Sequence, residues 1–178
     1  MPRAALALAL AALAAGVAWA ALRRPEPAPP VPVETHAFRV APPAAGDPVV
    51  VWAIGDGADG SAHSRRVAER VARDRPHAVL YLGDVYERGT REDFEGKVRA
   101  PYRPFLERML PTPGNHEWPR HTEGYDPFWK SVTGRPTAPW YATAVGTWEV
   151  VSLNSEAPHG PRSAQVRWLR ARVRGGGT

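Results

Sequence analysis

A chain of 178 residues that is 43% hydrophobic and carries 7 Trp has the material for one domain with a real core, which excludes general disorder. The formal net charge of +5 does not make a nucleic-acid face, because Arg3, Arg23 and Arg24 lie outside the expected folded part and the other arginines are spread along helical stretches without aromatic interleaving. The sequence has no Cys, so disulfides, thiolate metal sites and cysteine nucleophiles are excluded, and any metal must be held by carboxylate, amide or imidazole.

In residues 1–22, MPRAALALALAALAAGVAWAAL, one Arg precedes an uncharged apolar run from Ala4 to Leu22, and Ala18-Trp19-Ala20 matches the small-x-small pattern of a signal-peptidase site. This predicts export, with the domain outside the cytoplasm, either secreted or membrane-anchored. A cleaved signal peptide and an uncleaved anchor associating with the membrane through residues 4–22 both remain open, since the run nearly reaches the roughly 20 residues that cross a bilayer. Residues 23–48 are dense in Pro and Ala with no periodic apolar face, which predicts an extended, semi-rigid spacer.

The folded part is expected over residues 49–178. VVVWAI reads as a buried strand, SAHSRRVAERVARDR as a helix capped by Ser61, and AVLYL as a second buried strand. REDFEGKVRAPYRPFLERM predicts a second helix, broken at Pro101 and Pro104. LPTPGNHEW is a short apolar segment leading into a loop. The insertion behind it carries Trp118, Tyr125, Phe128, Trp129 and Trp140, and reads as a surface loop packed by its own aromatics in preference to a wall of a pocket. YATAVGTWEVVSLNSE predicts a hairpin with Gly146 in the turn. SAQVRWLRARV predicts a final amphipathic helix with Val166, Leu169 and Val173 on one face. Strands alternating with helices make this an α/β fold with a largely parallel sheet.

Ligands gather beyond the carboxyl ends of such strands. Three segments deliver polar residues there, each directly after a Gly: AIGDG with Asp56, YLGDV with Asp84, and TPGNHE with Asn115 and His116. Singly, an Asp before a helix is more often a cap than a ligand. Jointly, the three recur roughly 30 residues apart, about one βα unit each, so neighbouring strands would converge on one site. That set suits two divalent metal ions. One carboxylate bridges both, a second holds one ion, and a neutral amide oxygen holds the other; ions about 3.5–4 Å apart share a hydroxide and stabilise the entering and leaving oxygens at phosphorus. His116, beside the amide, would meet the leaving oxygen or the phosphoryl group.

In order and spacing, GD, GD and GNHE resemble the calcineurin-like metallophosphoesterase superfamily, nearest its purple acid phosphatase-like branch, over about residues 49 to 174. The resemblance implies two sheets flanked by helices with a dinuclear site of Fe, Mn or Zn at the sheet edges, acting on phosphate monoesters or diesters of a small phosphorylated substrate. It makes Asp56 a ligand of the first metal, Asp84 the bridging carboxylate, Asn115 a ligand of the second, His116 the catalytic histidine, and Glu117 a support. Ala58 stands where that family often has His or Gly. Glu87 stands where purple acid phosphatases have a metal-binding Tyr, with Tyr86 one residue short, so GDVYERG is closer to the GDxxDRG pattern of relatives using other divalent metals. Histidine ligands of a second half are also implied, and His63, His77, His121 and His159 do not fit their places; exposed or capping roles are expected for them. The chain therefore reads as the N-terminal half of such a domain, with a non-catalytic exported remnant or binding module of the same fold as the alternative to an enzyme.

Overall fold

The computed structural model describes residues 40, 43–44 and 46–175. The expected signal or anchor in residues 1–22 lies outside the described residues, as does most of the spacer. Among the described residues no helix is long and apolar enough to cross a membrane.

Three short strands, β1 (Val51–Ile54), β2 (Ala78–Tyr81) and β3 (Met109–Pro111), form a parallel sheet in that order. Val51 pairs with Ala78 and Tyr81 with Pro111. The central strand is covered on both sides, which is why AVLY carries no alternation: Ala78, Val79 and Tyr81 are all buried. Between β1 and β2 runs α1 (Ala62–Asp74), which turns Ala68 and Val71 into the core. Its expected cap is present, since Ser61 Oγ accepts from the N–H groups of His63 and Ser64, both at 3.1 Å.

The second helical stretch, α2, stays helical through both prolines, contrary to the expected break. It opens as α-helix over Arg91–Asp93, widens to a π-helix over Phe94–Arg99, returns to α-helix over Ala100–Tyr102, and tightens to a 3₁₀-helix over Arg103–Arg108. The reason is local. In the wide register the N–H of Ala100 reaches the carbonyl of Glu95, and each proline falls in the first turn of the segment that follows, where its missing N–H costs nothing.

The insertion is not a self-packed surface loop. It contains α3 (Tyr125–Thr133), whose Tyr125, Phe128 and Trp129 are buried against α2, with the Phe94 and Phe128 rings stacked 4.7 Å apart. A helix of period 3.6 presents those three aromatics on one face, so they enter the common core. The hairpin is as expected: β4 (Tyr141–Val145) and β5 (Trp148–Ser152) pair antiparallel around Gly146 at φ 62. Tyr141 Oη donates to the Pro111 carbonyl at 3.0 Å, and the hydroxyls of Thr112 and Ser152 lie 2.7 Å apart, which ties the hairpin to the end of β3.

The last helix, α4 (Ala164–Arg174), departs from the amphipathic reading: Val173 is 72% exposed, Val166 and Leu169 are only partly buried, and the residue it buries is Gln165. The Gln165 amide accepts from the N–H of Asn154 at 2.7 Å and donates to its carbonyl at 2.9 Å, pairing with that backbone as another strand would. The α/β class holds. Among the described residues the sheets are the three-stranded parallel one and the two-stranded hairpin.

Candidate functional site

The three glycine-led loops leave neighbouring strands at the same edge. Beyond β1 and β2 the chains stay stitched together: Leu82 N–H donates to Ile54 O at 2.8 Å, Asp56 N–H to Gly83 O at 3.3 Å, and Tyr86 N–H to Ala58 O at 3.1 Å. A further parallel bridge joins Ala58 to Val85. Ala58 is completely buried here, which accounts for a small residue at that position. On the other side Thr112 N–H donates to Tyr81 O at 2.7 Å, setting the start of the third loop beside the second. Asp56 and Asp84 both adopt left-handed backbone, at φ 55 and 67. Outside glycine this conformation is uncommon, and Asp is one of the few residues that tolerate it.

Glu117 locks the second loop to the third. Its side chain, 1% exposed, accepts from the N–H of Asp84 at 3.1 Å, of Val85 at 3.1 Å and of Gly114 at 3.0 Å. Burial raises its pKa above the ordinary carboxyl value, against the lowering by the Gly114 and Val85 N–H groups. The two loops approach so closely that a Cβ on Gly83, at φ 88, would lie 2.3 Å from Gly114 N, and one on Gly114 would lie 2.2 Å from Asp84 Oδ1. Glycine is required at both places.

His116 N–H donates to Asp84 Oδ1 at 3.3 Å. Its Nδ1 lies 2.6 Å from the main-chain carbonyl of Glu87. A carbonyl only accepts, so Nδ1 carries the proton and Nε2 is the nitrogen left for chemistry. Glu87, placed by sequence in an acidic position, thus meets His116 through its backbone. Asn115 lies exposed at the head of the same turn.

Among the described residues no Lys or Arg forms an ion pair with Asp56 or Asp84. Two uncompensated carboxylates and an exposed amide oxygen at one sheet edge are a hard-oxygen donor set, which fits a divalent cation. Such a cation would be held by Asp56, Asp84 and Asn115. Among the described residues no cluster of three or more His, Asp or Glu offers a complete site. The remaining histidines have local roles: His77 Nδ1 accepts from Val50 N–H at 3.0 Å, His121 bonds Asp126 at 2.8 Å and stacks on Trp118, and His159 Nδ1 lies 2.9 Å from Ala157 O. His63 is exposed in the first turn of α1.

Two residues at this edge, Tyr86 and Lys97, were given no role by the sequence reading. Tyr86 donates its hydroxyl to Asp56 Oδ1, its ring lies 4.2 Å from that of His116, and the hydrogen bond to Asp56 pushes its pKa up to about 12. Lys97 donates to the Tyr86 carbonyl and pairs with Asp93 at 2.7 Å. The signal for Tyr86 was its position one residue short of the tyrosine that the family resemblance implies; nothing in the pattern of α2 marked Lys97.

No curated protein matches this sequence. The family described as calcineurin-like phosphoesterase matches residues 46–174, which takes in all three loops, both sheets and α4, and the chain belongs to that family.

Proposed function

We propose that this chain is a metal-dependent phosphoesterase hydrolysing phosphate monoesters or diesters, with Asp56, Asp84 and Asn115 as metal ligands and His116 as the acid–base residue. Members of the family typically bind a dimetal centre. Bound divalent ions supply Lewis acidity toward a phosphoryl oxygen. The observation that carries the reading is the buried Glu117 carboxylate, which gathers the N–H groups of Asp84, Val85 and Gly114 and so holds Asp84 and the Asn115–His116 turn as one unit. Such a device spends a buried charge on geometry, as a site needing fixed ligands would. In this reading Asp84, whose loop lies between the other two, would be shared by both ions. His116, with Nδ1 committed to Glu87, gives or takes a proton at Nε2, on the leaving oxygen of the ester. The nearness to the purple acid phosphatase branch rests on motif order alone, and Tyr86 and Glu87 stand apart from that branch's tyrosine pattern.

A second reading, a non-catalytic module of the same fold, is favoured by one observation: His77, His121 and His159 are each engaged in local contacts away from Asp56, Asp84 and Asn115. The full chain, loaded with Mn²⁺, Zn²⁺ or Fe²⁺ and assayed on p-nitrophenyl phosphate and its bis-ester, separates the two. Under the enzyme reading Asp84→Asn loses metal content and activity together, while His116→Ala keeps its metal and loses about 10²- to 10⁴-fold in turnover. Unchanged metal occupancy in Asp84→Asn refutes the bridging role, and a metal-loaded wild type without turnover supports the module.

Export by the apolar run of residues 4–22 completes the proposal. Its check is fractionation with sequencing of the mature N-terminus. A start at Ala21 supports a cleaved signal, a membrane-bound chain retaining Met1 supports an anchor, and soluble cytoplasmic protein beginning at Met1 refutes export.

A further inference from the structure

Asp56 differs from Asp84 in what holds it. Asp84 is partly buried and gripped through its N–H by Glu117 and through Oδ1 by the N–H of His116. Asp56 is exposed, and the hydrogen bond given to its carboxylate comes from the Tyr86 hydroxyl. An exposed carboxylate with one tether loses its fixed rotamer when that tether is cut.

Tyr86 is itself held at every end. Its N–H is fixed by the Ala58 carbonyl at 3.1 Å and its own carbonyl by the Lys97 ammonium. Lys97 is in turn fixed at 2.7 Å by Asp93, and Asp93 closes a capping box with Thr90 at the start of α2. The ring leans on the imidazole of His116 at 4.2 Å with the planes tilted by 55°. One side chain, anchored to α2 through Lys97, therefore touches the candidate ligand of the first loop and the candidate acid–base residue of the third.

We infer that Tyr86 is a positioning residue for this site: its hydroxyl occupies Asp56 Oδ1 and orients the carboxylate toward an incoming cation, while its ring sets the plane of His116. The inference rests on the reading of Asp56 as a ligand, and it assigns Tyr86 no bond to the metal. Residues that orient metal ligands by hydrogen bonding are typically worth 10- to 100-fold in affinity or activity, so the lower end, about tenfold, is expected for one hydroxyl at an exposed carboxylate.

The test compares full-length wild type with Tyr86→Phe, Tyr86→Leu and Asp84→Asn. In metal-free protein the NMR resonances of the His116 ring protons report the aromatic neighbour. They should be unchanged in Tyr86→Phe and shifted in Tyr86→Leu, where the ring current is gone; identical resonances in all three overturn the contact. In calorimetric titration with Mn²⁺, Tyr86→Phe should bind about tenfold more weakly than wild type at an unchanged melting temperature. Equal or tighter Mn²⁺ binding in Tyr86→Phe overturns the inference and leaves the ligand set standing. A wild type that binds no more Mn²⁺ than Asp84→Asn overturns the ligand set, and the inference with it. If Fe³⁺-loaded wild type shows a visible charge-transfer band that Tyr86→Phe lacks, the phenol is itself a ligand and the positioning role is wrong.

Discussion

Around Asp84 each neighbour sets a different coordinate: Glu117 fixes the backbone, the His116 N–H fixes one carboxylate oxygen, and Gly114 leaves the room for both. The last makes a sharp prediction. In Gly114→Ala the new Cβ would fall 2.2 Å from Asp84 Oδ1 and 2.8 Å from Asp84 N, and the backbone nitrogen cannot step aside because Glu117 holds it. Overpacking of this kind costs about 1–3 kcal/mol. The variant should therefore melt lower than wild type and bind Mn²⁺ as poorly as Asp84→Asn, as read by calorimetry. Asp84→Asn should melt like wild type, since Asn tolerates the left-handed backbone that Asp84 adopts at φ 67. Swapped outcomes, with Gly114→Ala benign and Asp84→Asn unfolded, would mean that the residue is structural.

Among the elements, α2 has the most to lose at its start. Thr90 Oγ1 accepts from Asp93 N–H at 3.2 Å, and Asp93 returns its carboxylate to Thr90 N–H at 3.2 Å and to Lys97 at 2.7 Å. Burial opposes the charge on Asp93, but the Lys97 ammonium and the Thr90 donors outweigh it, and the pKa is held below 3.8. A depressed folded pKa means that this carboxylate contributes stability above its ordinary value, and that the contribution is lost as the pH falls through the folded value. Asp93→Asn should accordingly lower the melting temperature at neutral pH and flatten its fall in acid below about pH 4. Parallel curves for variant and wild type across that window would rule out the linkage. In α3, Trp129 is fully buried between Tyr81, Phe94 and Phe128, so Trp129→Ala should cost about 3–5 kcal/mol in urea unfolding, a loss that no surface aromatic would show.

For the whole molecule, the parallel sheet ends on β1, which pairs only with β2 among the described strands, and Val51 on that edge is 42% exposed. Leu82 at 52% and Trp148 at 74% add apolar surface on the loop after β2 and on the hairpin. Unpaired edges and exposed apolar groups promote association. Wild type should scatter light increasingly with concentration, and Val51→Lys combined with Trp148→Ser should reduce this at an unchanged melting temperature. Equal scattering would place the sticky surface elsewhere.

How much of this was legible beforehand follows from the range of each interaction. Ser61 as cap, Gly146 as turn, the AVLY strand and the Gly-Asp and Gly-Asn-His-Glu loops were readable because each depends on residues within a few positions of one another. Their order also sufficed to bring Asp56, Asp84 and Asn115 to one sheet edge, since parallel strands joined by helices all end on the same side. Pro101 and Pro104 misled because a change of helical register, which no local propensity announces, removed the penalty they carry in an α-helix. The aromatics of the insertion were legible as aromatic but not as core, because Phe94 on a distant helix decides where Phe128 and Trp129 go. Val173 was misplaced for the same reason, the orientation of α4 being set by the bond between Gln165 and Asn154 rather than by its apolar residues. By itself the sequence determined which residues are the candidates for the chemistry and on which strands they ride. Only the tertiary structure decided what holds them, Glu117 on Asp84 and Tyr86 on Asp56, because those bonds join residues about 30 positions apart, and folding alone brings them within reach.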